Sequence, residues 1–302
     1  MNYSLALHGG AGPLQPEKMD AEKQEKFTNA LNKAYEAGEA EMKKDGSALD
    51  VAEATVKALE DEPQFNAGRG AVLDNTGKIE NEATIMDGEL LEAGGCTAIT
   101  QTRNPISLAR KIMEHSPHVL LYGEGAEAFG REHELESKEV SWFYTDKRIR
   151  QWEESKGNRT PDMDHSTEKG TVGCVVRDPD GNLASATSTG GMNRKWRGRI
   201  GDTAMIGPGT YANNKTCAIS CTGKGDFFIR GVIAYDVHAQ MLYVNLPLEE
   251  ACTNALKNLQ KLGGEGGLIG VDYNGNIVTP FISKGMFRLT RTPNGEVEVA
   301  IF

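Results

Sequence analysis

Residues 170–188 read GTVGCVVRDPDGNLASATS, and the fold turns on how that stretch is divided. Residues 171–177 are a dense apolar run of strand length, Asp178-Pro179-Asp180-Gly181 supplies turn residues, and Leu183 to Ser188 makes a return run. β-Branched residues suit a buried pleated surface and Asp/Pro/Gly clusters reverse the chain, so the stretch predicts a β-hairpin. Just before it, residues 146–170 are polar and charged, with scarcely an apolar anchor beyond Ile149, Trp152 and Met163, which predicts an exposed segment. That segment enters a core strand through Gly170-Thr171. A threonine hydroxyl is a poor nucleophile and needs an adjacent base. Cleavage before Thr171 would free an amine of pKa near ~8 to act as that base. Gly170 would ease the cut, because glycine tolerates strained backbone while Thr171 attacks the preceding carbonyl. By itself, Gly-Thr is also simply a common way to start a strand.

Outward from the hairpin, residues 4–7 read as a short buried strand ending in the glycine turn His8-Gly9-Gly10-Ala11-Gly12. Phe27, Leu31, Ala34, Tyr35 and Gly38 recur at helical spacing. Ser47 with Asp50 resembles a capping box opening a second helix, whose inner face is Leu49, Ala52, Val56 and Leu59. Residues 71–100 are strand-like, broken at Asp74-Asn75-Thr76-Gly77; helices are expected at 106–114 and 124–132. A strand is expected at 217–221, then helices at 227–242 and 248–262, then hairpins at Asn274-Gly275 and Asn294-Gly295. Strands cluster at hairpin turns and helices come in pairs, so the class is α+β rather than a doubly wound parallel sheet.

The chain has 302 residues, 38% hydrophobic, enough for a substantial core. Its formal net charge of -10 repels phosphates, which argues against nucleic acid or an anionic membrane as partner. No apolar run approaches membrane-spanning length, and residues 1–7 are too short and polar for a signal peptide. Five cysteines, an odd number without a CxxC pair, suggest reduced thiols in a cytoplasmic protein. His115 and His118 lack further ligands at suitable spacing, so they read as ordinary histidines.

The company Thr171 keeps gives it weight. Thr187-Ser188-Thr189-Gly190-Gly191 lies just past the returning strand, where the hairpin could bring it near the segment that begins with Thr171. Gly198-Arg199-Ile200-Gly201-Asp202 sets a cation and an anion three residues apart. Such a pair could hold an amino acid backbone, Arg199 on the carboxylate and Asp202 on the ammonium, although a surface ion pair is the default reading. Cys221-Thr222-Gly223-Lys224-Gly225-Asp226 leaves a strand for a helix, a place where a hydroxyl and backbone amides can make an oxyanion hole.

In this order, with His8-Gly9-Gly10-Ala11-Gly12, Phe65-Asn66-Ala67-Gly68 and Met86-Asp87-Gly88 in the first half, the chain resembles the plant-type asparaginases and isoaspartyl peptidases over nearly its whole length. The resemblance implies a threonine N-terminal-nucleophile hydrolase with a four-layer αββα sandwich, one catalytic domain over 1–302, cut between Gly170 and Thr171 into 1–170 and 171–302. It implies Thr171 as nucleophile and base, Thr189 as its hydrogen-bond partner, and Thr222 and Gly223 as oxyanion hole. Arg199 and Asp202 would clamp the substrate, Gly225 would help seat its amine, and Asn66 would support the site. The substrates implied are β-aspartyl dipeptides and L-asparagine, giving L-aspartate, and the assembly a homodimer of processed αβ units. No cofactor serves catalysis; a structural sodium ion is implied on the carbonyls of Leu59, Glu60, Glu62, Phe65, Ala67 and Arg69.

The chain departs from the family pattern at Thr203-Ala204, Pro208 and Asp226, which bears on substrate preference. Arg194-Lys195-Trp196-Arg197 is unusually basic beside the clamp and reads as a solvated loop. The alternatives are a glycosylasparaginase-like hydrolase, disfavoured by a cytoplasmic chain, and an unprocessed, non-enzymatic homologue. A lipase-like reading of His8-Gly9-Gly10 fails because no Gly-x-Ser-x-Gly elbow occurs.

Overall fold

In the computed structural model, which describes residues 2–156 and 170–302, the expected hairpin is present. Val172 stands opposite Ser188 and Arg177 opposite Leu183. Asp178 Oδ1 accepts from the Asp180 and Asn182 amides at 3.1 and 2.9 Å, and Gly181 takes a φ of 93° at the turn.

In chain order the strands and α-helices begin with β1 (Ser4–Gly12), α1 (Ala21–Met42), α2 (Ala48–Asp61), β2 (Asn81–Asp87) and β3 (Ala93–Ile99). Then come α3 (Pro105–His115), β4 (Leu120–Tyr122), α4 (Gly123–Glu132) and α5 (Asp146–Glu154). The hairpin strands are β5 (Val172–Arg177) and β6 (Leu183–Thr189), followed by β7 (Thr210–Ala212) and β8 (Cys217–Gly223). The last third holds α6 (Gly225–Gly231), α7 (Ile233–Val244), α8 (Leu248–Lys261), β9 (Gly266–Asp272), β10 (Ile277–Val278), β11 (Gly285–Arg291) and β12 (Val297–Ala300).

An eight-stranded sheet runs β12-β11-β1-β5-β6-β2-β3-β4, antiparallel but for the β3–β4 pair. A four-stranded antiparallel sheet, β10-β9-β8-β7, faces its centre, with β8 and β9 against β1 and β5. Helix α2 lies over β5 and β6 on the other side of the large sheet, while α7 and α8 cover β8 and β9. Side-chain alternation explains the continuous apolar runs. Val172, Cys174 and Val176 enter the core under α1 and α2, whereas Val175 enters the core between the sheets. Leu5 and Leu7 divide from Ala6 in the same way, and Cys217, Ile219 and Cys221 from Ala218. The α+β class is therefore as expected, and Ser47 and Asp50 form the capping box of α2.

Three local expectations need correction. The first strand does not stop at Leu7: β1 continues through the glycines to Gly12, with a register shift between His8 and Gly10. A Cβ on Gly9 would lie 2.2 Å from the Phe65 ring, so the glycines here permit close packing rather than a turn. The helix expected over 227–242 is two helices, broken at Val232 with φ 47°. The amides of Ala234 and Tyr235 bond the carbonyls of Pro208 and Gly207 at 3.2 and 2.7 Å, so a neighbouring turn caps the new helix start. The segment expected to be exposed from Asp146 is helical to Glu154, with Arg148 1% exposed and its guanidinium on the Gly70 carbonyl. Residues 157–169 of that segment lie outside the described residues. Among the described residues no helix is long and apolar enough to cross a membrane.

Candidate active site

The hairpin register sets the surroundings of Thr171. With Val172 opposite Ser188, Thr171 and Thr189 meet at the open end, and the Thr171 hydroxyl donates to Thr189 Oγ1 at 3.1 Å. Thr189 Oγ1 also accepts from the Gly191 amide at 3.0 Å. From the facing sheet, at the end of β8, Thr222 Oγ1 accepts from the backbone nitrogens of Thr171 and Ala11 at 3.3 and 3.2 Å. The nitrogen that cleavage would turn into an amine thus lies on a buried hydroxyl. Gly170 lies against β1, where a Cβ would fall 2.8 Å from the Gly9 carbonyl oxygen.

Asn66 braces the same end. Its Nδ2 donates to the Gly191 carbonyl at 2.7 Å, its Oδ1 accepts from the Val72 amide at 2.9 Å, and its carbonyl accepts from the Gly190 amide at 3.0 Å. A Cβ on Gly190 would stand 2.6 Å from Asn66 Oδ1; only glycine allows this approach.

These groups border a cleft of ≈ 580 Å³, measured to its open mouth. Asn66, Gly170, Thr171, Thr189, Arg199, Asp202, Gly223 and Gly225 all line it. Thr222 lies beneath, fully buried. Every residue expected at the reaction site is thus gathered in one place. Arg199 pairs with Asp226 at 2.6 Å, with 15% of the Arg199 side chain and 60% of the Asp226 side chain exposed. Asp202 is buried and its Oδ2 has no partner among the described residues. Burial pushes its carboxyl up to about 7, against the opposing pull of Arg199, with Glu82 raising it further. Gly225 makes room at this pair, since a Cβ there would fall 2.4 Å from Asp202 Oδ1 and 3.0 Å from Arg199 Nη2. The cleft thus brings together a guanidinium, a buried carboxyl whose Oδ2 has no partner among the described residues, and the Thr171 hydroxyl.

The loop after α2 was expected to hold a cation on carbonyls. The Glu60 carbonyl accepts from the Arg69 amide at 2.8 Å, and Gly68 takes a φ of 51°. Carbonyl oxygens of Glu60 and Phe65 lie 2.6 and 2.4 Å from where Gly68 and Gly70 would carry a Cβ. The Leu59 and Glu62 carbonyls likewise accept from the Glu62 and Phe65 amides at 3.3 and 3.2 Å, while carbonyl oxygens are the donor type a hard cation takes.

Sequence reasoning missed several neighbours. Val72, Gln151, Met192 and Asn193 also line the cleft, and nothing in their local patterning signals it. The loop 194–197 was read as solvated, yet Lys195 is 1% exposed while Trp196 is 72% exposed. The five cysteines are free and buried, and burial holds the Cys174 and Cys217 thiols above their ordinary range, as suits core thiols. His115 stacks on His133 with ring centroids 5.2 Å apart.

The family model described as asparaginase matches residues 1–301. The chain is 44% identical over 292 residues to an isoaspartyl peptidase of Salmonella typhimurium, covering 94% of this chain and 93% of that protein. An isoaspartyl peptidase of Escherichia coli is 44% identical over 294 residues, covering 94% and 91%. A probable isoaspartyl peptidase/L-asparaginase 2 of Arabidopsis thaliana is 39% identical over 325 residues, covering 99% of each chain. Matched by the family model from end to end and by full-length relatives, the chain belongs to the asparaginase family.

Proposed function

We propose that this protein is a self-processing amidohydrolase that cleaves β-aspartyl dipeptides and L-asparagine and releases L-aspartate. One observation carries the reading: the Thr171 hydroxyl on Thr189 and the Thr171 nitrogen on Thr222 share a cleft with Arg199 and with Asp202, whose Oδ2 has no partner among the described residues. In self-cleavage, Thr171 Oγ1 attacks the Gly170 carbonyl carbon, the peptide bond shifts to an ester, and water hydrolyses the ester. Residues 1–170 then end in a carboxylate, and 171–302 begin with the Thr171 amine.

In the hydrolytic cycle that amine takes the hydroxyl proton as Thr171 Oγ1 attacks the substrate's β-carbonyl. The Thr222 hydroxyl and the Gly223 amide stabilise the oxyanion. The amine proton passes to the leaving nitrogen, which departs as ammonia or as an amino acid, leaving a β-aspartyl ester. Water, deprotonated by the same amine, releases aspartate. Arg199 takes the α-carboxylate and Asp202 the α-ammonium, while Asn66 keeps Gly191 and so Thr189 in register. Specificity comes from the clamp, because a ligand lacking the α-ammonium leaves the buried Asp202 carboxyl unmatched, and one lacking the α-carboxylate forgoes Arg199.

The names of the relatives support this substrate class. Helices over the outer faces of two facing sheets support a four-layer αββα sandwich. Five reduced thiols support a cytoplasmic setting, and the family resemblance supports a homodimer of processed units. Carbonyls of Leu59, Glu60, Glu62, Phe65, Ala67 and Arg69 would hold a sodium ion that stiffens the loop preceding Asn66 and takes no chemical part. Replacing sodium by choline would lower the melting temperature and leave the cut intact.

Intact mass spectrometry of wild type beside Thr171→Ala tests the reading. Two fragments meeting between Gly170 and Thr171, absent in the variant, together with aspartate released from β-aspartyl dipeptides or L-asparagine, are expected. A single persistent chain that releases no aspartate would overturn it and leave a silent homologue.

A further inference from the structure

Lys195 inverts the usual burial order. In the loop following Gly191 the indole of Trp196 is 72% exposed while the neighbouring ammonium is 1% exposed. Burying an ammonium is costly unless it is paired and hydrogen-bonded, so a chain that buries Lys195 and leaves a tryptophan in water has spent stability on a placement. Lys195 Nζ donates to the Glu80 carbonyl at 2.7 Å and faces the fully buried carboxylate of Glu82 at 3.8 Å.

Glu82 in turn holds the clamp loop. Its Oε1 and Oε2 accept from the Gly201 amide at 3.1 and 2.9 Å, one residue from Asp202 and two from Arg199. A Cβ on Gly201 would fall 3.0 Å from both Glu82 Oε2 and Arg199 Nη1, so carboxylate, backbone and guanidinium are in close contact. One turn earlier, Glu80 Oε2 accepts from the Gly198 amide at 3.0 Å. The loop bearing Arg199 is therefore pinned at both ends by acids at the start of β2. Burial lowers the Lys195 pKa, and Glu82 and Glu80 oppose that pull.

We propose that Lys195 is a positioning residue of the substrate clamp: by neutralising Glu82, it leaves Arg199 free to take the substrate's α-carboxylate. Without Lys195, Glu82 competes for the guanidinium as an internal carboxylate. The inference rests on the clamp roles of Arg199 and Asp202 in the proposed function. It differs from a packing role in predicting which variant restores binding. Lys195→Met keeps the side chain's length and loses its charge, leaving Glu82 uncompensated; adding Glu82→Gln removes the competitor while the amide oxygen can still accept from Gly201.

Steady-state kinetics with L-asparagine and calorimetry with L-aspartate on the full chain test this. For Lys195→Met, KM and the aspartate Kd should rise about tenfold or more, a typical cost of disturbing a buried charge pair, with kcat within about threefold and self-cleavage complete by mass. The double variant should recover most of the lost affinity. Unchanged KM and Kd in a processed Lys195→Met protein would overturn the proposal. So would a double variant no better than the single one, or a loss confined to kcat. If Lys195→Met does not fold, Glu82→Gln decides: its aspartate Kd should equal wild type or be tighter, and a tenfold weakening would overturn the proposal. Should the wild type release no aspartate from either substrate, the catalytic reading fails by itself, and calorimetry still tests the clamp.

Discussion

Thr171 and Asp202 both line the cleft and both are nearly buried, at 8% and 5% exposure, yet their surroundings differ in kind. Around Thr171 each hydroxyl has a partner: Thr171 on Thr189, Thr222 under two amides, and Ser188 on Glu60 at 2.6 Å. Burial pushes the Glu60 carboxyl of α2 up to about 8, and the remaining groups are uncharged and fixed by strand register. Around Asp202 the groups are charged and incompletely matched, with a lone Oδ2, an arginine leaning on an exposed acid, and a buried Lys195–Glu82 pair. The hydroxyls of the first wall are matched in the absence of ligand, while Glu60 Oε2 and His8 Nδ1 have no partner among the described residues. On the proposed clamp roles, the second costs stability until an ammonium and a carboxylate arrive, so substrate binding and fold stability would trade against each other there.

The sharpest way to separate the walls is to remove the proposed nucleophile. Thr171→Ala should lower aspartate release by about 10⁴-fold or more, as loss of a nucleophile does elsewhere. Its melting temperature should stay within a few degrees of wild type, because a hydroxyl with one neutral partner is worth about 1 kcal/mol. A large drop in melting temperature would show that the hairpin end carries more stability than its neutral bonds suggest. Gly225→Ala breaks the other wall. Its Cβ would stand 2.4 Å from Asp202 Oδ1, so KM for L-asparagine should rise about 100-fold, the scale of about 3 kcal/mol of lost binding. Self-cleavage, followed by mass, should proceed.

How much of this was legible beforehand follows the same division. The hairpin, the capping box of Ser47 and Asp50 and the turn at Asn274-Gly275 depend on residues a few positions apart, and local patterning predicts them. The continuation of β1 through Gly9 depends on the Phe65 ring, far along the chain. The burial of Lys195 depends on Glu80 and Glu82, more than a hundred residues earlier. Arg148 reads as solvent-facing until the Gly70 carbonyl is seen to receive it. Charged residues satisfied by remote backbone carry no local signature, and most of the clamp is made of them. Its Arg199 and Asp202 were legible through a three-residue spacing and a family resemblance; their supports were not.

A third test reads the cost of the clamp directly. The folded pKa of Asp202 is raised to about 7 from 3.8, so the fold favours its protonated form. As pH rises from about 4 towards 7, the unfolded chain releases this proton first and the fold loses stability; above about 7 the loss is complete. Asp202→Asn should therefore stabilise the ligand-free protein at pH 8, by up to about 4 kcal/mol at 1.36 kcal/mol per pKa unit, and make no difference near pH 4. Chemical denaturation at the two pH values measures it. An equal effect at both would mean that the carboxylate's charge is not what burdens this wall.

The smallest effect belongs to the one clamp contact open to water. Asp226 meets Arg199 at 2.6 Å but is 60% exposed, where solvent screening leaves ion pairs worth about 0–1 kcal/mol. Asp226→Asn should thus change KM for L-asparagine by no more than about fivefold, and in either direction, since Asp226 both orients Arg199 and competes for it. Self-cleavage should not change. The size of the effect discriminates between two accounts of the arginine. If the buried Glu82–Lys195 pair holds the loop, Arg199 keeps its place when Asp226 is neutralised. A rise in KM of fiftyfold or more would show that the exposed acid, not the buried pair, places Arg199, and would move the centre of the clamp from β2 to the start of α6.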